Sequence, residues 1–476
     1  MFKKLIFIAL VIFTTKVSAQ ETWSLEKCIT QAQQNSRLVK QSQIQIKNAQ
    51  LAKKQDQLSR YPSVNAGSNL GLNFGRSVNP STYTFENTTT SFNSWNLNAN
   101  ATLYNGGRIN NQIKQSETDV KAAQADLENS AATISLQVAQ VYLQILLNDE
   151  QLANAKKRIQ TTQSQLDRAE RQIKAGSIAP TAKYDLVAQV ARDEQNIVTA
   201  SNNLEISYLN LKNLLELSPD LDFKIERPTA LVPSGANPDA SLFKAVYAQA
   251  LGSQPQIRAA DLRIKSAEIG VKIAEAQLLP TLSVNGNLGS NFSSSILDFT
   301  KGKPISNVVN QTVVINGVDQ VVGFKQISVT DVPKKPYFEQ FGDNFGQSLG
   351  LNLSIPIFNG LSRQIGVQRQ KLNVESQMLT LEREKQQLKT DVQNAIASAR
   401  AAKKSYEATQ KTFEAQKNAF EATEKRFQIG NANGFELTQA KNNLDTAERD
   451  VTVSKYDYIF RLKIVDFYEG KKITLK

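Results

Sequence analysis

The chain predicts a membrane protein of mixed α and β class, in which each polypeptide supplies four β-strands to a barrel shared between copies and the remainder forms long helical hairpins. Three observations predict it. Four segments alternate apolar and polar residues, very long helical stretches carry apolar residues seven apart, and the whole pattern is written twice.

The first element is a leader. Lys3 and Lys4 precede an apolar stretch from Leu5 to Phe13, and Val17-Ser18-Ala19 follows as a small-residue cleavage site. Residues 1–19 are therefore expected to be a secretory signal peptide, since the apolar stretch is too short to span a bilayer. Cys28 lies past the cleavage site and is not read as a lipid-attachment cysteine. After residue 20 no apolar run is expected to approach transmembrane length. One cysteine excludes an intrachain disulfide. Removing Lys3, Lys4 and Lys16 lowers the formal charge from +12 to +9. The basic residues are scattered among Glu and Asp on helical stretches, the pattern of solvated faces rather than a nucleic-acid patch. The chain has no histidine, so the commonest general base and metal ligand are missing, and no catalytic, cofactor or metal constellation stands out.

Two structural copies follow, 20–225 and 242–476, joined by a linker at 226–241. Tyr104-Asn105-Gly106 returns 254 residues later as Phe358-Asn359-Gly360, and Gly176 returns as Gly430. Between them the heptad phase is kept: Val138, Ile145, Leu152, Ile159, Leu166 and Ile173 match Val392, Ala399, Tyr406, Phe413, Phe420 and Phe427. An apolar residue every seven is a coiled-coil type of seam. Each copy reads helix, strand, strand, very long helix, turn, helix, with the turns near 176 and 430. From Gly107 to Gly176 a helix would run roughly 100 Å at 1.5 Å per residue.

The strands are expected at about 62–75, 92–104, 281–293 and 345–358. Pro62 and Pro280 end a helical run before the first strand of each copy. Trp95, Leu97 and Leu103 face one way in the second strand, and Asn96, Asn98 and Asn100 the other. Asn65 and Asn69 in the first strand, Asn285 and Asn287 in the third and Asn352 in the fourth belong to the polar set. Leu351, Leu353 and Ile355 join the apolar set. Each segment is about the length a tilted strand needs to cross a bilayer. The uncharged, Asn-, Ser- and Gly-rich face suits a barrel lumen and the other face suits lipid. A half-buried sheet on a soluble core is the plainer alternative.

Four strands cannot close a barrel, and an open edge in lipid leaves backbone groups unsatisfied. Several chains must therefore contribute, and pattern alone does not choose between two and three. The connection between the third and fourth strands is 36 residues longer than its counterpart. It contains Asn316-Gly317 between β-branched residues, a hairpin signal.

Taken together, Leu25-Glu26-Lys27-Cys28-Ile29, Leu242-Phe243-Lys244-Ala245-Val246, the boundaries at Pro62 and Pro280, Ile355-Pro356-Ile357-Phe358-Asn359-Gly360 and Arg426-Phe427-Gln428-Ile429-Gly430 resemble the TolC family of outer-membrane efflux and secretion channels. Asp466-Phe467-Tyr468-Glu469-Gly470 resembles the C-terminal end of its Bacteroidetes-type members. The resemblance implies a homotrimer with a twelve-stranded barrel continuing into a periplasmic helical tunnel in a Gram-negative outer membrane. It implies partners: a periplasmic adaptor (membrane fusion) protein and an inner-membrane RND-type or ABC transporter, with outer-membrane lipid around the barrel and no nucleic acid. It places the adaptor contacts at the hairpin tips, Gly176, Ser177 and Ile178 in the first copy and Gly430, Asn431 and Ala432 in the second. It also marks Glu436 and Phe427 near the periplasmic entrance. The counterpart of Glu436 in the first copy is Ala182, and Phe427 and Ala432 stand where some members carry a locking tyrosine and arginine. The expected function is a passive exit duct of a tripartite efflux or type I secretion system. The competing readings are a barrel-anchored trimeric coiled coil with an adhesive role, and a periplasmic enzyme with helical arms, which the missing histidine disfavours.

Overall fold

The structure, a computed structural model, describes residues 22–79, 81, 83–177, 179–227, 239, 241–429, 431–471 and 473. The expected signal peptide, most of the linker, Ile178 and Gly430 lie outside these residues. The first copy runs β1 (Thr22–Trp23), α1 (Leu25–Asn35), α2 (Arg37–Leu58), β2 (Ser63–Asn73), β3 (Arg76–Val78), β4 (Phe85–Asn87), β5 (Thr90–Tyr104), α3 (Arg108–Lys174), α4 (Ala182–Leu214) and β6 (Lys224–Ile225). The second runs α5 (Leu242–Ser253), α6 (Pro255–Ala276), β7 (Thr281–Ser293), β8 (Lys303–Ile315), β9 (Val318–Thr330), α7 (Tyr337–Asp343), β10 (Gly346–Ser354), α8 (Ser362–Gln428) and α9 (Gly434–Tyr468).

Helices α3 and α8 both hold 67 residues. Where the sequence pattern reads one leading helix per copy, the structure has two. The break falls at Ser36, with ψ 135°, and at Gln254, with ψ 122°. Pro255 disfavours helical geometry at Gln254. Ser36 reaches the same geometry without a proline, and both residues are buried.

Two compact units result, and each draws on both copies. One comprises residues 22–51, 117–267 and 373–473 and is helical. Its first core joins Trp23, Leu25, Cys28, Val138, Tyr142, Ile145, Leu211 and Phe223. Strands β1 and β6 pair in parallel there, Trp23 opposite Ile225. The Tyr142 hydroxyl donates to Glu226 O at 2.7 Å, anchoring the chain after β6 to α3. The second core joins Val246, Ala250, Ile257, Leu388, Val392, Ile396, Ala399 and Val465. Positions that match in the repeat are buried in both cores: Val138 with Val392, Ile145 with Ala399, Leu211 with Val465. Helix α3 contains an 18-residue window apolar enough, by composition, to cross a membrane. The sequence expectation that no such run follows residue 20 is corrected here. Ile134, Val138, Tyr142 and Ile145 in α3 are core residues of the helical unit, which accounts for its apolarity.

The other unit comprises 52–116 and 268–372 and contains the remaining strands, β2 to β5 and β7 to β10. Its main sheet has the order β10-β7-β5-β2, all neighbours antiparallel. The two copies pair identically: Asn65 opposes Asn98 in the first hairpin and Ser283 opposes Asn352 in the second. Strands β8 and β9 form a separate hairpin whose turn is Asn316-Gly317, with φ of 51° and 77°. That double left-handed turn matches the right-handed strand twist.

Two outcomes follow from local geometry. The Cys28 thiol is fully buried, and desolvation pushes its pKa up to about 12. In the folded protein its alkylation at pH 8 is expected to be about a thousandfold slower than that of an unhindered thiol, read by mass spectrometry with and without denaturant. Helix α4 ends with Glu216 at φ 54°, whereas Gly470 takes the matching position after α9 at φ 78°. Left-handed backbone costs a residue with a Cβ roughly 1 kcal/mol. Against this, Glu216 has one ion pair, 2.9 Å to an Arg37 side chain that is 86% exposed. Such pairs contribute little. Glu216→Gly is expected to raise stability by about 0.5–1 kcal/mol, measured as a higher urea midpoint at unchanged slope.

Candidate functional site

The sheet has two chemically opposite faces. Across the strands, Asn65, Asn98, Asn287 and Ser348 form one row, and Asn100, Asn285 and Gly350 the next. Asn96 stands between Gly67 and Gly289, Asn352 opposes Ser283, and Asn69 opposes Ser94. All eight sequence-selected asparagines thus share one face, which carries no charged side chain along these rows. Phe92 also points to this face: a Cβ added at Gly71 would lie 2.5 Å from its ring. Sequence alternation missed this residue because Phe92 and Asn93 reverse the apolar–polar order.

The other face collects Trp95 with Ser290, Leu97 with Leu288, Ala101 with Val284 and Leu351, and Leu353 with Leu282. Leu349, Leu351 and Leu353 are 60% or more exposed. Two of the sequence-selected apolar residues, Leu103 and Ile355, lie outside the regular ladder, 59% and 58% exposed. The β5–β7 register shifts between Thr102 and Tyr104, so Tyr104, not Leu103, opposes Leu282. Leu103 is the extra residue of a bulge. Ile355 lies beyond the end of β10, because Pro356 has no N–H to continue the ladder.

The outer strands β2 and β10 each have one neighbour among the described residues. Elsewhere, apolar heptads are only partly covered by the described residues: Ile44, Leu51 and Leu58 on α2, and Ile365, Leu372 and Leu379 on α8, are between 46% and 64% exposed. Asn105 Nδ2 and Asn359 Oδ1, the same position in the two copies, are buried without a hydrogen-bond partner.

At the tips, α3 closes in a Schellman geometry. Gly176 has φ 73°, its N–H donates to Ile173 O at 2.9 Å, and Ser177 N donates to Gln172 O at 2.9 Å. In the second tip Asn431 N donates to Arg426 O at 2.7 Å. Asn433 caps α9, its Oδ1 accepting from Glu436 N at 2.9 Å. Glu436 also pairs with Arg426 at 3.3 Å, across the turn. The first tip is tied instead by Lys183 to Glu170 at 2.7 Å. Glu436 therefore has a local structural job as a turn brace, and Phe427, the residue after its partner Arg426, is half-buried. Ile429 and Phe435, 72% and 77% exposed, flank the second turn. Sequence reading used Ile429 only as part of a motif and passed over Phe435, because it followed the turn residues rather than their apolar neighbours. Behind the tips, Asp193 is 1% exposed. It accepts from Thr162 Oγ1 at 2.6 Å and Gln189 Nε2 at 2.9 Å, with Arg158 Nε 3.0 Å away.

Among the described residues no group of three or more His, Cys, Asp or Glu side chains could hold a metal ion. A recess of about 500 Å³ between α3, α8 and α9 is lined by residues such as Gln144, Thr409, Asp450 and Arg461.

This architecture has known counterparts. The outer membrane channel CmeC of Campylobacter jejuni superposes with a TM-score of 0.71 at 16% identity, over 94% of this chain and 85% of that one. The outer membrane protein VceC of Vibrio cholerae does so with a TM-score of 0.71 at 16% identity, over 94% and 96%. In sequence, the pyoverdine export outer membrane protein OpmQ of Pseudomonas putida is 25% identical over 209 residues, 44% of this chain. That match spans 43% of the relative's length, less than half. The family model described as Outer membrane efflux protein matches residues 28–216 and 246–459, which takes in the asparagine-faced strands β2, β5, β7 and β10, the first helical hairpin and most of the second. With both copies matched and the fold shared, the chain belongs to the Outer membrane efflux protein family.

Proposed function

We propose that the chain is an outer-membrane exit duct, conducting substrates passively from an inner-membrane transporter and periplasmic adaptor. The observation that carries the reading is the open sheet. The backbone of its edge strands β2 and β10 lacks a second partner strand among the described residues, and Leu349, Leu351 and Leu353 on its apolar face stay exposed. In lipid each unsatisfied backbone group costs several kcal/mol, so sister copies must pair β10 with β2. On this reading three chains close twelve strands, with Asn65, Asn98 and Asn287 lining the water and Leu351 and Leu353 meeting lipid. The exposed heptads on α2 and α8 are seams between neighbouring chains, and the orphan amides of Asn105 and Asn359 are met by a neighbouring chain or by water. The two copies, 20–225 and 242–476, are duplicated halves joined at 226–241, each supplying one pair of strands to the barrel and one helical hairpin to a duct. The turns near Gly176 and Gly430, with Ile429 and Phe435, face the adaptor.

Reconstituted in planar bilayers, the protein is expected to give discrete single-channel steps. A plugged or non-conducting oligomer would favour the adhesive alternative. Leu351→Arg is expected to cost about 2–4 kcal/mol of assembly more than Asn352→Arg, read as loss of the heat-resistant oligomer. Equal losses would reverse the assignment of the faces. A photoreactive label at Asn431→Cys is expected to capture an adaptor in envelopes, while one at Arg400→Cys, in the middle of α8, captures none. The opposite pattern would move the docking site away from the tips.

A further inference from the structure

Helix α7 belongs to the long connection between β7 and β10, and it lies on the apolar face of the sheet. Ser290, opposite Trp95 on that face, donates its hydroxyl to Phe341 O at 2.7 Å. Gln340 is 1% exposed; its Oε1 accepts from Ser293 N and its Nε2 donates to Ser293 O, each at 3.0 Å. Asn344 Nδ2 donates to Asn291 O at 2.7 Å. The Tyr337 hydroxyl accepts from Trp95 Nε1 at 3.0 Å and donates to Asn93 Oδ1 at 2.6 Å. The Tyr337 ring lies 4.8 Å from that of Phe292. So the helix is fixed to the sheet, and it satisfies the polar groups of Asn93 and Ser290, which the strand pattern alone would turn outward.

What α7 and the residue after its C-cap turn outward instead is aromatic. Phe338 is 85% exposed and Phe341 37% on the helix, and Phe345 just beyond it is 55% exposed. Its height along the barrel decides what meets these rings. Leu282 to Ser290 covers about 27 Å along β7 at ~3.4 Å per residue, or about 20 Å of height at the usual strand tilt. The apolar band of such barrels is about 25 Å tall and ends in aromatic girdles. Helix α7 therefore sits where the band gives way to the far headgroup boundary.

We infer that α7 is a lipid anchor, with Phe338 and Phe341 embedded among acyl chains at the outer-leaflet boundary and Tyr337, bridging Trp95 and Asn93, holding them there. The inference rests on the reading that Leu351 faces lipid. A sister chain is the weaker occupant: it must meet the edges β2 and β10, whereas α7 is built over the central strands β5 and β7. The rings continue the exposed apolar surface of the same sheet face, and aromatic side chains favour the membrane interface.

The test is nitroxide labelling of the full-length protein in vesicles, with Cys28 left in place because it is buried. Collision with oxygen reports lipid, and collision with a water-soluble nickel chelate reports solvent. Labels go at Phe338→Cys, at Leu351→Cys in the band and at Gln320→Cys on the β8–β9 hairpin. The expected result is oxygen-dominated relaxation at 338 and 351, weaker at 338, and nickel-dominated relaxation at 320. Nickel dominance at 338 with oxygen dominance at 351 would overturn the anchor and leave the barrel reading intact. A label at 338 shielded from both would mean protein covers it, a sister chain included, and would equally overturn the anchor. Nickel dominance at 351 would remove the lipid-facing assignment itself, and the anchor with it. Tyr337→Phe is expected to raise nickel access and label mobility at 338, and no change would take Tyr337 out of its positioning role.

Discussion

The backbone of the two outer strands is the constraint on which the rest depends. β2 and β10 each offer a row of N–H and C=O groups to which the described chain gives no partner. In water such an edge is a liability managed by charge or bulges. In hydrocarbon it costs on the order of tens of kcal/mol over a whole strand, far above the 5–15 kcal/mol by which a domain is stable. A chain of an outer-membrane family with this sheet is thus half of every edge contact it needs. The exposed apolar heptads on α2 and α8 make the same demand on the helices by a different force, since apolar area left in water forgoes burial energy.

Within the chain, polar detail decides how the helices end and turn. The two tips share a backbone closure yet are tied by different ion pairs, Lys183 with Glu170 and Arg426 with Glu436. These pairs are exposed and contribute modestly. The buried Asp193 differs in kind. Its carboxylate is enclosed by Thr162, Gln189 and Arg158, so losing a partner there would strand a charge. Ala447 takes its position in the second copy and is also buried, so the two hairpins are packed alike by unlike chemistry.

Much of the architecture was legible from periodicity. The period-2 segments fall on β2, β5, β7 and β10, and the Asn316-Gly317 signal falls on a real hairpin turn, because both patterns reflect strong local geometry. The eight asparagines could be grouped on one face without knowing the pairing, since alternation alone decides sides. Less local features escaped. The bulge at Leu103 is set by the neighbouring strand and has no composition of its own. The break at Ser36 carries no proline. Helix α7 is a short segment held by Gln340, Tyr337 and contacts to a distant strand, which no periodicity announces. Glu436 stood out for its charge, while the role the structure gives it comes from Asn433 and Arg426 on either side of a turn.

The matching pairing of the two hairpins has a consequence for calibre. Because every polypeptide brings two hairpins in like register, a closed ring can change its strand number only four at a time. On the exit-duct reading proposed above, diameter scales with strand number, so the strand count available to the bore is eight, twelve or sixteen. Drift in individual residues can retune what lines such a pore, but widening it by a small increment is closed to this design. Selectivity must then evolve through side chains and loops rather than through girth.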